Sequence, residues 1–410
     1  MRIDLASPPF SGHLHPILGI ARILAPHHEV RVLTMASAMA AVRAAGLNGV
    51  AVLDGWESRL RDIIDTPRAV RSNPVRLFRQ FSAALDVQRQ VRLELCACYR
   101  RDRPDLLIAD FTLVAAGHLA EARGIPWWTT LPSPCVLEGG DAPPGYLGGL
   151  LPKAGRLARL RDRWGSASIR GFKHTIAALF RQRLRDIGVE SVYRADGSES
   201  AYSHTKILAF GSPAIEFRRQ WPPYVRLMPL PLYTPPTDAL PPPMVHGRRH
   251  VLATLGTHLK FAKDQMAQAI RRLAGRLPDC EFHFSDGDPQ GSRFERDGNF
   301  TRLPFVDYQR HLRSYALVIH HGGAGIMYHT LAAGLPAIIY PVDYDQFDHA
   351  ARLQHAGLAL RIDDLIDLEA AVAHALSDIG IAGRCAAFAE TYQPDCTAAV
   401  LKEVCEIGSA

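Results

Sequence analysis

The chain has 410 residues, of which 47% are hydrophobic and 21% charged, with a formal net charge of +6. This length favours two domains, and no run approaches the roughly 18 apolar residues that a membrane-spanning helix needs. The N-terminus lacks the apolar core of a signal peptide, and seven scattered cysteines show neither zinc spacing nor a disulfide framework. These features predict a cytoplasmic globular protein and argue against a secreted or membrane-spanning one.

Much of the positive charge lies in residues 153–185, where arginines and lysines crowd together. The simplest interpretation is a solvated helical face. Because Trp164, Phe172 and Phe180 are interleaved with the charges, a weak peripheral contact with anionic lipid is a second interpretation, which vesicle sedimentation at low and high salt would test. No nucleic-acid-binding motif occurs, so nucleic acid is not expected as a partner.

Strands and helices alternate through the first half. In chain order the pattern predicts a strand at 3–6, a loop at 7–12, a helix at 13–24, a strand at 29–33, a strand at 105–109, a helix at 112–123 and a strand at 127–131. Pro16 fits the first turn of the helix predicted from residue 13, and Pro26 ends that helix. Such alternation is typical of a parallel sheet that helices cover on both faces.

Ten prolines between residues 213 and 243 divide the chain almost in half. They predict an extended linker that can be neither a helix nor a central strand. The second half repeats the alternation, with a strand at 250–255, a helix at 261–274, a strand at 281–284 and a helix at 346–355. We therefore predict two doubly wound α/β domains, whose ligands lie at the carboxyl ends of the strands, in the cleft between the domains.

A glycine-rich loop follows an apolar run that ends near residue 320, and a helical stretch begins directly after the loop. The loop consists of His321, Gly322, Gly323, Ala324 and Gly325. Helix N-termini bind phosphate through free backbone N–H groups, and glycine lets an anion approach closely. His321 can donate a hydrogen bond to a phosphate oxygen, although it could also be a turn residue that ends the strand. The combination predicts a phosphate site.

Asp345 and Gln346 follow the next predicted strand. An acid and an amide in sequence can bond adjacent sugar hydroxyls, whereas Asp345 is also a good N-cap for the helix after it. Asp343 and Asp345 form an Asp-x-Asp pattern that elsewhere holds a divalent metal on a nucleotide sugar. We expect no metal here, because the glycine loop, His321 and a helix dipole could already neutralise a diphosphate.

His13 lies between the first strand and its helix, and Asp110 ends a later strand, so both face the same cleft. A histidine oriented by a carboxylate is a general base, because the carboxylate holds the tautomer and stabilises the imidazolium that forms. The alternative is that each residue only caps the helix that follows it. His15 is a weaker candidate for the base, since it lies nearer the helix interior.

These residues together resemble the family 1 glycosyltransferases of the GT-B fold, a group that includes bacterial natural-product glycosyltransferases. The resemblance covers nearly the whole chain and is strongest at 303–357. It implies two Rossmann-like parallel-sheet domains facing a cleft, with His13 as the catalytic base and Asp110 as its partner. It also implies a diphosphate cradle of His321, Gly322, Gly323, Ala324, Gly325 and Thr257, a sugar-binding pair of Asp345 and Gln346, and a nucleotide-base contact of Phe305 and Val306.

The sequence departs from the family pattern at two positions. Ile326 stands where serine or threonine usually offers a hydroxyl to the phosphate, and Asp307 stands where the base-binding loop usually has proline. An acidic Asp307 near the base could change the nucleotide preference.

The domain division that we expect is an N-terminal acceptor-binding domain at 1–212, a linker at 213–245, a nucleotide-sugar-binding domain at 246–384 and a C-terminal helix at 385–410 that packs back on the first domain.

The resemblance implies an inverting, metal-independent O-glycosyltransferase that moves a sugar from a UDP- or TDP-linked donor to a hydroxyl of a small lipophilic acceptor. No cofactor is expected, and the protein would be a monomer or homodimer. The acceptor-side candidates, which could equally be core residues, are Phe10, Trp56, Phe81 and Tyr146. Two other functions stay open: a non-catalytic nucleotide-sugar-binding protein, and a GT-B-fold epimerase or hydrolase acting on the nucleotide sugar.

Overall fold

The structure is a computed structural model that describes residues 1–70, 73–139 and 142–407. Two seven-stranded sheets form its frame. The first contains β1 (Arg2–Ala6), β2 (Glu29–Thr34), β3 (Asn48–Ala51), β4 (Leu106–Asp110), β5 (Trp127–Leu131), β6 (Ile207–Phe210) and β7 (Val225–Met228). The second contains β8 (Arg249–Thr254), β9 (Cys280–Ser285), β10 (Glu295–Asp297), β11 (Phe300–Leu303), β12 (Leu317–His320), β13 (Ala337–Ile339) and β14 (Ala359–Arg361).

Helices cover both sheets. Those of the first half are α1 (Ser11–Leu24), α2 (Met39–Ala44), α3 (Glu57–Ile64), α4 (Pro74–Arg101), α5 (Val114–Ala122), α6 (Arg156–Leu179) and α7 (Arg181–Asp186). Those of the second half are α8 (Lys260–Ala274), α9 (Tyr308–His311), α10 (Ala324–Ala332), α11 (Gln346–His355), α12 (Leu368–Ser377), α13 (Ile379–Thr391) and α14 (Thr397–Cys405).

The strand order confirms two doubly wound α/β domains. The first sheet is parallel throughout, in the order β3-β2-β1-β4-β5-β6-β7. The second runs β10-β11-β9-β8-β12-β13-β14, and only β10 is antiparallel to its neighbour. In each sheet the order reverses beside the domain's first strand, between β1 and β4 and between β8 and β12. Ligands of such sheets lie at this reversal, beyond the carboxyl ends of the strands.

The first helix begins earlier than the sequence predicted. Because α1 starts at Ser11, Pro16 lies in the second turn and not in the first. Proline has no N–H to donate to the carbonyl of Gly12, four residues before it. The helix is held by packing instead: one face is buried, and Gly19 lies so close to Pro231 that a Cβ there would meet the proline ring at 2.7 Å.

The sequence predicted that the whole proline-rich segment is a linker, but part of it is a strand. Residues 225–228 form β7, which pairs in parallel with β6 at the edge of the first sheet. An edge position suits a strand bounded by prolines, because one side needs no backbone donors. The first sheet therefore continues past residue 212, and the crossing to the second sheet begins after β7.

The chain returns to the first domain at its end, but later than residue 385. Residues 385–391 belong to α13, which packs on α10 of the second domain. It is α14 that packs on α1, and its Glu403 pairs with Lys206 and Arg226 of the first domain. Residues 408–410 of the predicted C-terminal helix lie outside the described residues.

The basic stretch forms α6 and α7. Several large apolar side chains of α6 are exposed: Leu157, Leu160, Trp164, Phe172 and Leu179. Phe180, expected beside them, is instead buried against Phe81. Contact of this surface with anionic lipid stays a prediction. Over the described residues, no helix combines the length and apolarity needed to cross a bilayer.

Candidate active site

The structure joins His13 and Asp110 across the reversal of the first sheet. Nδ1 of His13 lies 3.1 Å from both carboxylate oxygens of Asp110. Asp110 is itself buried and accepts hydrogen bonds from the backbone N–H and hydroxyl of Thr112. The imidazole of His13 stacks on Phe111 with ring centroids 5.5 Å apart. The carboxylate therefore orients the ring and leaves Nε2 free, as a general base requires.

Two opposing influences set the protonation of His13. Burial lowers its pKa, but the charge and hydrogen bond of Asp110, together with the charge of Asp345, outweigh burial. The pKa of His13 therefore lies above its ordinary value. His15, the weaker candidate, has a pKa lowered to about 4 by burial and by His329, and no carboxylate is among the causes of this shift.

An apolar cavity of about 200 Å³ opens beside His13 in the first domain. Its lining includes Phe10, Ile63, Val87, Leu113 and His13. Nearly all of the wall is hydrocarbon, because α3 and α4 turn their apolar sides towards the end of β1. The arrangement suits the lipophilic part of a small molecule whose hydroxyl points at the imidazole.

The predicted acceptor residues are only partly brought together. Phe10 lines the cavity, as expected of an acceptor contact. Trp56 is not among the cavity residues and packs against the core formed by α4 and α5, while Phe81 packs on Phe180. Tyr146 lies across the cleft, where its backbone meets α11. Aromatic composition alone does not say which of these residues share a surface.

The glycine loop lies at the reversal of the second sheet, between β12 and α10. Gly322 has a φ of +94°, which favours glycine, and no side chain caps the N-terminus of α10. The ring of His321 is packed between two glycines, since a Cβ on Gly323 would lie 2.4 Å from its Nε2 and one on Gly256 2.8 Å from its Cε1. A Cβ on Gly325 would meet nothing within 4 Å. A helix N-terminus without a side-chain cap, together with the helix dipole, suits an anion.

Burial keeps His321 neutral. It lowers the pKa of His321 to about 4, with nearby Asp345 and the backbone of Thr254 acting in the opposite direction. Nδ1 of His321 is buried and makes no hydrogen bond to the described residues. An unsatisfied buried nitrogen is costly, so a bound group that hydrogen-bonds it would relieve that cost.

Neighbouring histidines support the loop without facing the cleft. His320 is fully buried, its pKa is lowered to about 3 by burial, and its Nδ1 accepts the N–H of Gly322 at 3.0 Å. His349 on α11 lies 2.7 Å from the carbonyl of Gly322. The first histidine of the pair in the sequence is thus structural, and the second faces the candidate phosphate site.

Asp345 lies at the N-cap position of α11 but does not cap it with its side chain. Its carboxylate instead accepts a hydrogen bond from the hydroxyl of Ser133 in the first domain. Its charge acts on both His13 and His321, so Asp345 is near both candidate residues. The sequence did not single out Ser133, although a polar residue just beyond β5 is a signal that could have found it.

Gln346 and Asp343 shape the loop before α11. The side-chain oxygen of Gln346 accepts the N–H groups of Val342 and Asp343 at 2.9 and 3.0 Å. The carboxylate of Asp343 is buried and accepts the N–H groups of Val70 and Tyr344. Both carboxylate oxygens of Asp343 are thus occupied by the chain, whereas no described residue bonds the side-chain NH₂ of Gln346.

The structure restricts how the residues predicted to contact the nucleotide base could do so. Val306 is buried in the core and offers a ligand its backbone only, whereas Phe305 is partly exposed. Asp307 caps the short helix α9 through the N–H groups of Gln309 and Arg310. Ile326 packs into the same core as Val306, so it offers the phosphate no hydroxyl. Thr257 follows β8, in the loop that packs over His321.

Other hydrogen bonds and ion pairs hold the cleft closed. Gln80 donates to the hydroxyl of Tyr344 at 2.7 Å, and Arg352 pairs with Glu216 at 2.8 Å. These contacts join α4 and the chain after β6 to the loop before α11 and to α11 itself. They were invisible in the sequence, because each joins residues more than 130 positions apart.

Asp348 is a buried acid at this interface. It accepts the N–H of Tyr146 at 2.7 Å. Burial raises its pKa to about 6, although the hydrogen bond and Arg352 act against the rise. A raised acid pKa means that Asp348 favours the folded state below its ordinary value of 3.8 and that this contribution is lost as the pH rises through about 6.

We therefore expect Asp348→Asn to stabilise the protein above pH 6, because asparagine keeps the acceptor oxygen without the buried charge. The rise in pKa corresponds to at most about 3 kcal/mol. Urea unfolding of both proteins between pH 4 and 8 measures the difference, which should shrink towards pH 4. A variant less stable than the wild type at pH 8 would contradict the assignment.

Known proteins resemble this chain over both domains. Residues 281–379 match the Glycosyltransferase family 28 C-terminal domain. The chain is 26% identical over 396 residues to the 4'-demethylrebeccamycin synthase of Lentzea aerocolonigenes, an alignment that covers 88% of this chain and 87% of that protein. The structure of the glycotransferase of kitacinnamycin matches with a TM-score of 0.75 at 21% identity, covering 97% of each chain. The glycosyltransferase VinC, solved with dTDP, matches with a TM-score of 0.68 at 19% identity over 98% of each.

Proposed function

Since the chain belongs to the family 1 glycosyltransferases of the GT-B fold, we propose that it is an inverting O-glycosyltransferase that needs no metal ion. The observation that carries this proposal is that the two strand-order reversals face each other. One supplies the His13–Asp110 pair, the other supplies His321 and the glycine loop, and Asp345 acts on both histidines. A base and an anion site on opposite sides of one cleft suit transfer of a sugar from a diphosphate to a hydroxyl.

In the proposed reaction, Nε2 of His13 takes the proton of the acceptor hydroxyl. The acceptor oxygen forms its bond to the anomeric carbon, while the bond from that carbon to the diphosphate breaks on the opposite face. The nucleoside diphosphate leaves with the electron pair, and Asp110 stabilises the imidazolium. Proton transfer to a positioned base typically contributes about 10²–10⁴-fold in rate.

The leaving group is met by the N-terminus of α10. The first N–H groups of this helix, the helix dipole and His321 face the developing negative charge, which is the most effective place for such groups. A metal is not part of the proposal, because Asp343 and Asp345 are bonded to Val70 and Ser133 respectively. Nδ1 of His321, which has no hydrogen-bond partner among the described residues, can carry the ring's N–H and donate to a phosphate oxygen directly or through a bridging water.

The acceptor in this proposal is a small lipophilic molecule with a hydroxyl group, such as a natural product or lipid. The apolar cavity beside His13 supports this class. Its volume of about 200 Å³ is below the roughly 300–1,000 Å³ of most ligand sites, so a larger acceptor requires the cleft to open. The donor is a UDP- or TDP-linked sugar, and the similarity to VinC, which was solved with dTDP, makes dTDP the first nucleotide to test.

The remaining expectations are proposals of the same kind. We propose that the enzyme works in the cytoplasm, as a monomer or homodimer, without a cofactor besides its sugar donor. A weak contact of residues 153–185 with anionic membranes stays a prediction.

The test begins with thermal shifts in the presence of UDP, dTDP and their sugars. A nucleotide at 100 times its Kd should stabilise the protein by about 2.7 kcal/mol. The stabilising donor is then incubated with hydroxylated aromatic acceptors, and NMR of the product should show an inverted anomeric centre. Donor converted without acceptor would favour an epimerase or hydrolase, and binding without any turnover a non-catalytic protein.

A further inference from the structure

A second histidine–carboxylate pair joins the two domains beside the proposed site. Asp65, which ends α3 in the first domain, has one carboxylate oxygen 3.2 Å from Nδ1 of His258 and the other 2.8 Å from Nζ of Lys260. The Asp65 side chain is 16% exposed and that of His258 32%, whereas Lys260 is 64% exposed. The contact of Asp65 with His258 is therefore less exposed to solvent than its contact with Lys260. Electrostatic interactions are stronger where solvent is excluded.

The backbone that carries His258 has an uncommon conformation. Gly256 has a φ of +69° and Leu259 a φ of +60°, so Thr257 and His258 lie between two left-handed residues. Leucine adopts this conformation only with strain, and strained backbone is concentrated at functional sites. From this loop His258 reaches Asp65 of the first domain.

His258 lies between the acceptor side and the donor side of the cleft. Its ring centroid is 5.0 Å from that of Phe10, which lines the apolar cavity. On the donor side, Gly256, two residues before His258, lies against the ring of His321, and His258 is among the causes of the lowered pKa of that ring. Asp65 directly follows the last two residues of α3, which also line the cavity. The pair therefore connects the cavity wall to the loop beside the phosphate site.

The charges around the pair come from both domains. The hydrogen bond from His258 is the main influence that lowers the pKa of Asp65 to about 2, and Lys260 adds to it while burial opposes it. The charge of Asp65 also acts on the pKa of Lys263 on α8, raising it against the larger lowering by burial. The buried amine of Lys263 donates to the carbonyl of Asp286. Asp65 is thus an ionised carboxylate that faces a histidine and two lysines.

We propose that Asp65 positions His258 as a second donor to the diphosphate of the sugar donor, an inference that rests on the function proposed above. Nδ1 of His258 lies against Asp65, and no described residue bonds Nε2. In the proposed role both ring nitrogens donate, Nδ1–H to the carboxylate of Asp65 and Nε2–H to a diphosphate oxygen.

This arrangement ties leaving-group stabilisation to domain closure. Asp65 belongs to the cavity wall and His258 to the donor loop, so their contact exists only when the domains meet. In an open, water-filled cleft His258 lacks its partner, and departure of the diphosphate is less favoured. Closure over the acceptor thereby completes the donor site and disfavours hydrolysis of the donor.

The test compares Asp65→Asn, His258→Gln and the double variant with the wild type. Lys260→Gln is the matched control, because Lys260 touches the same carboxylate from an exposed position. Calorimetry with UDP or dTDP measures nucleotide affinity without any acceptor, and steady-state assays separate kcat from the donor KM. We expect each single variant to bind nucleotide about tenfold more weakly and to lower kcat about tenfold, and Lys260→Gln to stay within about twofold.

The double variant separates positioning from a merely structural role. If Asp65 acts through His258, the double variant loses no more than His258→Gln alone. Additive losses, or single variants within about twofold of the wild type, overturn this inference and leave the proposed function intact. If a thermal melt shows that Asp65→Asn is unfolded, the nucleotide affinity and kcat of His258→Gln are compared with those of Lys260→Gln instead. A wild-type protein that binds neither nucleotide overturns the proposed function, and this inference with it.

Discussion

Replacing His13 by alanine is expected to lower kcat by about 10²–10⁴-fold while the affinity for the nucleoside diphosphate stays unchanged. His13 is paired with Asp110 in the first domain, whereas the proposed diphosphate contacts belong to the second. The variant should therefore bind the donor normally and fail at proton removal. Steady-state kinetics and calorimetry with the preferred nucleotide measure the two properties on the same protein.

His15→Ala is the matched control, because His15 lies two residues further along α1 and pairs with no carboxylate among the described residues. Burial and His329 lower its pKa to about 4, which favours the neutral imidazole. We expect this variant to keep most of its activity. A near-normal rate for His13→Ala, or donor affinity lost together with activity, would remove His13 from the role of base.

Asp110→Asn tests the same pair through its pH dependence. Catalysis needs neutral His13, so activity rises with pH through the pKa of His13. Burial lowers that pKa and Asp110 raises it, which means that the asparagine variant should have its acidic limb at lower pH. Its plateau should also be lower, because asparagine neither stabilises the imidazolium nor selects the tautomer as a carboxylate does. An unmoved limb would contradict the electrostatic role of Asp110.

Replacing Gly323 by alanine is expected to weaken nucleoside diphosphate binding by roughly 10–100-fold. The new Cβ would lie 2.4 Å from Nε2 of His321, so the ring or the loop has to move. The ring has little room, because Gly256 also lies close to its Cε1 and Nε2 atoms. Overpacking of this kind costs about 1–3 kcal/mol. Here it destabilises the loop conformation that anion binding requires.

Gly383→Ala controls for the substitution itself. Gly383 lies in α13, and a Cβ there would meet nothing within 4 Å; an exposed helical site usually gains from alanine. Calorimetry with the nucleotide, together with a thermal melt of each variant, separates lost binding from lost folding. Normal nucleotide affinity in a folded Gly323→Ala protein would mean that the diphosphate does not use this loop.

Local patterns were enough for the strands, helices and loops that carry the site. The helix predicted at 346–355 is α11 without change of bounds, and the glycine loop follows β12 as expected. These succeeded because glycines, strand-end polar residues and apolar periodicity are recorded in neighbouring positions. The placing of His13 beside Asp110 also followed, since the carboxyl ends of parallel strands share one edge of their sheet.

Contacts between residues distant in the sequence account for what the local pattern misplaced or left open. Residues 225–228 were read as linker because prolines surround them, yet the free edge beside β6 accepts them as a strand. Trp56, Phe81 and Tyr146 were grouped by their aromatic character, but they pack on different elements. Asp345 bonds Ser133 across the cleft in place of capping its own helix. In each case a tertiary contact decided between two roles that the local sequence allowed equally.

Patterns within the chain predict two doubly wound domains, a histidine–carboxylate pair at the strand ends of the first sheet and a glycine loop at a helix N-terminus, because strand ends and helix starts are marked by neighbouring residues. The side chains that meet across the cleft are set by tertiary packing. The contacts of Ser133 with Asp345, Tyr146 with Asp348, and Asp65 with His258 join residues 193–212 positions apart. Their partners are chosen by how two separately folded sheets face each other, and no periodicity or motif within either half records that choice.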